Sequence, residues 1–199
     1  MLLAEKGAAI TVCYVTSGER LHGEPSLTVT GERIAEARMV SQFLGCRKSL
    51  FLGFPDGDVR GHAAAITGEL STLIAGMQPD LMLAPSPIDF HSDHLALADI
   101  ALKLHQSVKG LPLAFFEVYT TIRFNCLIDI TEVVGKKKEA ISLYRKSLYG
   151  KPEVYVHAVL GMNAQRSLFT LKEGYFEAFY VVKQDSSTDA ALDYLTYRS

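Results

Sequence analysis

The chain has 199 residues, 48% hydrophobic and 21% charged, which is the make-up of one folded domain with its own core and excludes a disordered, fibrous or coiled-coil protein. Its 20 basic and 22 acidic residues leave a formal charge of -2, so the positive footprint that a phosphate backbone requires is missing and nucleic acid is not an expected partner. Cys13, Cys46 and Cys126 form no Cys-x-x-Cys pair, and no apolar run approaches the ~20 residues of a membrane span or has the layout of a signal peptide, so a cytoplasmic protein is expected.

In chain order, residues 8–15 are an apolar, partly β-branched run closed by Thr16-Ser17-Gly18, the pattern of a strand covered on both faces. Residues 20–31 read as a long polar loop. Ile34, Ala37, Val40 and Leu44 then recur at helical spacing behind Thr30, which predicts a helix over 32–44 with Thr30 as its cap. Strands follow at 49–52, closed by Gly53-Phe54-Pro55-Asp56-Gly57, and at 80–84, closed by Pro85-Ser86-Pro87. Further on come a helix over 94–105, strands at 113–119 and 126–130, helices over 132–148 and 153–169, and a last strand at 175–182. The run Lys136-Lys137-Lys138 reads as the solvated face of a helix. Residues 1–183 are expected to form the domain and 184–199 a polar tail.

Alternating apolar strands and helices predict a Rossmann-like, doubly wound α/β fold, its sheet mainly parallel and covered by helices on both faces, with ligands bound beyond the carboxyl ends of the strands. Three loops are therefore marked in advance: those after Val15, Leu52 and Ala84. The third holds Asp89, His91, Asp93 and His94. Imidazoles three apart share a face of a first helical turn, and a carboxylate beside a histidine can fix its tautomer. The plainer account makes Asp89 or Ser92 a helix cap and Asp93 a partner of the helix dipole. The motif cannot form a catalytic zinc site alone, because such a site takes three protein ligands and an open position.

Taken in order, Thr16-Ser17-Gly18-Glu19, Arg33-Ile34-Ala35-Glu36-Ala37, Leu44-Gly45, Leu52-Gly53-Phe54-Pro55-Asp56-Gly57, His91-Ser92-Asp93-His94, Asp129-Ile130-Thr131 and Glu177-Ala178-Phe179 resemble the LmbE-like, PIG-L-like family of zinc-dependent N-deacetylases. The resemblance runs from Leu2 to about Val182. It implies a zinc-dependent hydrolase that removes the N-acetyl group from an N-acetylglucosamine-type sugar or sugar conjugate. By motif, His94 resembles the last zinc ligand, His91 the group that steadies the tetrahedral oxyanion, and Asp93 the residue that orients His91. Arg33 and Asp56 match positions that face substrate, and Glu19 sits at a strand end directed to the same crevice. A surface arginine, a favourable turn residue and a solvated carboxylate are the alternatives for these three. His22, His62, His105 and His157 match no motif, and His105 has the spacing of a partly buried core residue.

The family pattern opens with a strand ending in a His-Pro-Asp-Asp-Glu type motif, which this chain does not contain. The resemblance therefore places the remaining zinc ligands and the general base upstream of Met1, and leaves the sheet without its first strand. As written, the chain should be a poor enzyme. A start site set too far downstream is the favoured explanation over an expressed fragment or a natural non-catalytic relative. That last case would make it a carbohydrate-binding or interaction protein, and pairing through exposed sheet edges would give a homo-oligomer. A nucleotide-binding α/β protein is disfavoured, since no glycine-rich phosphate motif follows any expected strand.

Overall fold

The computed structural model describes residues 1–20 and 25–183; the expected polar tail at 184–199 lies outside the described residues. In chain order the elements are α1 (Leu2–Glu5), β1 (Thr11–Thr16), α2 (Leu27–Phe43), β2 (Lys48–Phe54), α3 (Ala63–Met77), β3 (Met82–Pro85), α4 (Ser92–Ser107), β4 (Leu113–Phe116), β5 (Cys126–Asp129), a 3-10 turn (Thr131–Val133), α5 (Val134–Ser142), α6 (Pro152–Gln165), α7 (Ser167–Thr170) and β6 (Phe176–Val182). They form a mixed α/β protein with parallel strand pairs, as the sequence pattern implies. The strands fall into two sheets, of order β1-β2 and β3-β4-β6-β5. The chain forms two compact units, Met1–Asp56 with Asp129–Phe176, and Gly57–Ile128 with the chain from Glu177.

In the first unit β1 and β2 run parallel, with Tyr14 opposite Phe51. Their rings stack at 5.0 Å and 7°, and the Arg38 guanidinium lies 4.9 Å from the centre of the Phe51 ring. Helix α2 begins five residues earlier than its apolar spacing suggests. The Ser26 hydroxyl accepts the Val29 N–H at 3.4 Å, so Ser26 is the cap and much of the loop expected over 20–31 is helix. Thr30 instead donates its hydroxyl to the Ser26 carbonyl at 3.1 Å.

Buried Glu36 then decides where a later helix stops. Its carboxylate accepts the N–H groups of Lys146 and Ser147 at 2.6 and 3.0 Å and the Ser147 hydroxyl at 2.9 Å. Those N–H groups are no longer available to a helical ladder, and the helix expected over 132–148 ends at Ser142. The Tyr14 hydroxyl meets the Ala37 carbonyl, Ser41 Oγ and the Tyr144 hydroxyl within 3.3 Å. A second expected helix, over 153–169, is divided between α6 and α7 at buried Arg166.

In the second unit β3 is parallel to β4, and β4 is antiparallel to β6. Helix α4 packs on β3 and β4, where Ala84, Ala98, Ala101, Leu102, Leu113, Phe115, Ile122, Tyr180 and Val182 form the core. Phe115 is wholly enclosed, and burying a side chain of that size is worth about 2–3 kcal/mol. His105 belongs to this interior, its Nδ1 2.6 Å from the Leu111 carbonyl, in keeping with its omission from the site. Helix α3 was not anticipated, although Ile66, Leu70, Leu73 and Ile74 recur at helical spacing along it. The carboxyl end of β3 runs directly into the loop carrying the two histidines. Among the described residues no helix is long and apolar enough to cross a membrane.

Candidate active site

In the second unit, His91 is the N-cap of α4, and its Nδ1 accepts the Asp93 N–H at 3.3 Å. A ring nitrogen that accepts carries no proton, so the imidazole proton sits on Nε2 and is available to donate. The Asp93 carboxylate is buried and engaged by the preceding loop: Gly57 donates to Oδ2 at 2.7 Å and Val59 to Oδ1 at 3.2 Å. Gly57 has φ +82°, a conformation that suits glycine. The hydrogen bond joining Asp93 to His91 thus runs through the Asp93 backbone, while its carboxylate braces the 57–59 turn.

His94 lies one turn along the same helix, its ring 4.8 Å from that of His91. Its Nδ1 is 3.4 Å from Oδ2 of Asp89, close enough for charge attraction but short of a completed hydrogen bond. Asp89 is buried and accepts two backbone N–H groups, from His91 at 3.0 Å and Tyr119 at 3.3 Å. The Tyr119 ring in turn stacks on His94 at 5.7 Å and 8°. Burial pushes the His94 imidazole below its ordinary pKa and the Asp89 charge only partly opposes this. The ring is therefore neutral at neutral pH, the form that can ligate a metal. The sequence signal for Asp89 was present in the Pro-Ser-Pro-Ile-Asp run, but it pointed only to a helix cap.

The first unit gathers the other three expected residues. Arg33 Nη1 donates to the Gly18 carbonyl at 2.8 Å and lies 3.3 Å from Asp56 Oδ2. Glu19 Oε1 accepts the Asp56 N–H at 2.8 Å. Gly18 has φ +64°, and a Cβ there would come within 3.0 Å of the Arg33 guanidinium. The arginine is therefore part-buried and committed rather than a free surface group.

Two buried side-chain atoms of the described residues lack a hydrogen-bond partner, Glu19 Oε2 and His94 Nδ1. Buried polar atoms are nearly always paired, so such exceptions call for an explanation; for His94 Nδ1 it is the Asp89 carboxylate 3.4 Å away. Both fall on residues singled out from the sequence. Among the described residues no group of three or more His, Cys, Asp or Glu side chains is placed to hold a metal ion. His94, neutral and backed by a buried carboxylate, has the chemistry of one ligand.

Fold and histidine loop together fit a hydrolase of the N-deacetylase class. The chain belongs to the PIG-L, or GlcNAc-PI de-N-acetylase, family, whose profile matches residues 1–105, and by membership it is an N-deacetylase. Solved structures share its fold. The N,N'-diacetylchitobiose deacetylase of Pyrococcus horikoshii is 19% identical with a TM-score of 0.77, over 97% of this chain and 77% of that one. The 4-carboxy-2-hydroxymuconate hydratase of Pseudomonas putida KT2440 is 22% identical with a TM-score of 0.75, over 94% and 89%. A deacetylase of teicoplanin biosynthesis is 17% identical with a TM-score of 0.73, over 94% and 91%. No curated protein sequence matches this chain significantly.

Proposed function

We propose that the substrate is an N-acetylglucosamine-type sugar or sugar conjugate, hydrolysed with zinc in the cytoplasm to a free amine and acetate. The observation that carries the reading is the half-buried imidazole of His94 turned by Nδ1 toward the buried Asp89 carboxylate. This is the arrangement in which Nε2 keeps its lone pair for a metal. His94 would hold the zinc through Nε2. Zinc, when bound, supplies a Lewis acid for the amide carbonyl and a water of lowered pKa.

The chain's own groups would supply the oxyanion donor and the substrate contacts. His91, with its proton on Nε2 and its Nδ1 fixed by the Asp93 N–H, donates to the carbonyl oxygen as negative charge develops there. Asp93 holds the 57–59 turn and the start of α4 in register, so that this donor is preorganised. Arg33, Asp56 and Glu19 are the groups proposed to contact substrate. Several structural neighbours support an acylated sugar or glycoconjugate: the diacetylchitobiose deacetylase, the A40926 pseudoaglycone deacetylase and the teicoplanin deacetylases. One of these was solved in a zinc-inhibited form, so zinc concentration must be varied in any assay.

The test is metal content together with acetate release from N-acetylglucosamine and diacetylchitobiose. In a form that also carries the family's His-Pro-Asp-Asp-Glu segment, His94→Ala should lose zinc, whereas His91→Ala should keep zinc and lose about 10²–10³ in kcat. Full activity in both variants would overturn the assignment. Sugar binding without acetate release would support a binding protein built on this fold. The hydratase neighbour favours a second reading, and turnover of its enol-acid substrate without acetate release would establish that one.

A further inference from the structure

We propose that Phe90 and Tyr119 form an aromatic platform that binds a second sugar ring of the substrate, next to the ring that carries the scissile amide. This inference rests on the sugar-deacetylase reading above. Phe90 is 75% exposed and Tyr119 42%. A single exposed aromatic needs no explanation, but Phe90 is not single. Its ring meets that of Tyr119 at 4.7 Å with a 33° tilt, Tyr119 stacks on His94, and His94 contacts His91. Four rings thus follow one another from the proposed chemical centre outward, ending in the most exposed of them.

The platform is also held in place. Asp89, buried between the two loops, accepts the N–H of His91 on one side of Phe90 and the N–H of Tyr119 opposite it. The backbone that carries both rings is therefore fixed by the same carboxylate that faces His94, and little ordering is left to be done on binding. A pyranose presents a face of C–H groups to an aromatic ring, and apolar and aromatic walls with a few polar groups are what small-molecule sites use. With His91 and His94 at one end to receive the amide, Phe90 lies two ring contacts beyond His94, the place for a neighbouring residue of an oligosaccharide or for the ring of a glycoconjugate.

The chain contains no tryptophan, so Phe90→Trp installs a sole indole reporter on the platform. Diacetylchitobiose should shift its emission and N-acetylglucosamine should leave it nearly unchanged. Phe90→Ala should weaken diacetylchitobiose binding, followed by ligand-observed NMR, about five- to tenfold, with the monosaccharide affected less than about twofold. Unmoved indole emission in Phe90→Trp at disaccharide concentrations that saturate the wild type, or equal affinities of wild type and Phe90→Ala, would overturn the platform. Acetate release that continues unchanged in Phe90→Ala would then leave the deacetylase reading standing. A wild type that binds neither sugar would remove both.

Discussion

The two clusters of site residues are built on opposite principles. In the first unit Arg33, Asp56, Glu19 and the Gly18 carbonyl largely satisfy one another's hydrogen bonding, and one carboxylate oxygen is left over. In the second unit the carboxylates are spent on the backbone: Asp93 on Gly57 and Val59, Asp89 on His91 and Tyr119. The imidazoles are left as the groups with unspent capacity. A cluster of the first kind suits polar recognition, where each donor already has a default partner that substrate can replace. One of the second kind suits chemistry, because the reactive groups are positioned by neighbours that ask nothing of them in return.

The sharpest way to break this comparison is to remove one member from each cluster. In the form that carries the His-Pro-Asp-Asp-Glu segment, His94→Ala should abolish zinc binding and reduce turnover by more than the roughly 10–100-fold that loss of a supporting partner costs, while Arg33→Ala should keep its zinc and raise KM; metal analysis beside steady-state kinetics separates them. Equal zinc loss in both would dissolve the distinction. Next, Asp93→Ala strands the N–H of buried Val59 and frees that of Gly57, and urea unfolding should show a loss of about 3 kcal/mol. A smaller effect is expected at Asp89: Asp89→Ala should weaken zinc affinity about 10–100-fold, measured by competition with a chelator.

The smallest effect concerns the hydroxyl network of the first unit. Burial, reinforced by the hydrogen bond to Tyr14, raises the Tyr144 hydroxyl well above its ordinary pKa. An unfolded tyrosine ionises at about pH 10, so below that pH the stabilisation is intact. Above it the unfolded state loses a proton that the folded state keeps, and stability falls. Tyr144→Phe should flatten the decline in Tm between about pH 9 and 11, relative to wild type.

Much of this was legible in the chain. Strong apolar runs marked β1, β2, β3 and β6, and the motif order led to the family that the profile match confirms. What escaped were features fixed by contacts distant in sequence. No local pattern shows that Glu36 will capture the N–H groups of Lys146 and Ser147 and stop a helix, or that Asp89 will meet the N–H of Tyr119. Helix α3 was legible and passed over: Ile66, Leu70, Leu73 and Ile74 recur at helical spacing. Ser26 was overlooked as a cap because Val29, Thr30 and Gly31 behind it are weak helix formers.

Gly18 has a consequence for anyone who substitutes every position in turn. Its φ of +64° penalises any side chain, and the first carbon added would press on the Arg33 guanidinium. In a saturation scan this glycine should therefore tolerate few replacements, although it has no functional group to contribute. A map of tolerated substitutions would colour it catalytic, and only a variant that retains zinc while losing sugar affinity would show that it acts through the arginine it makes room for.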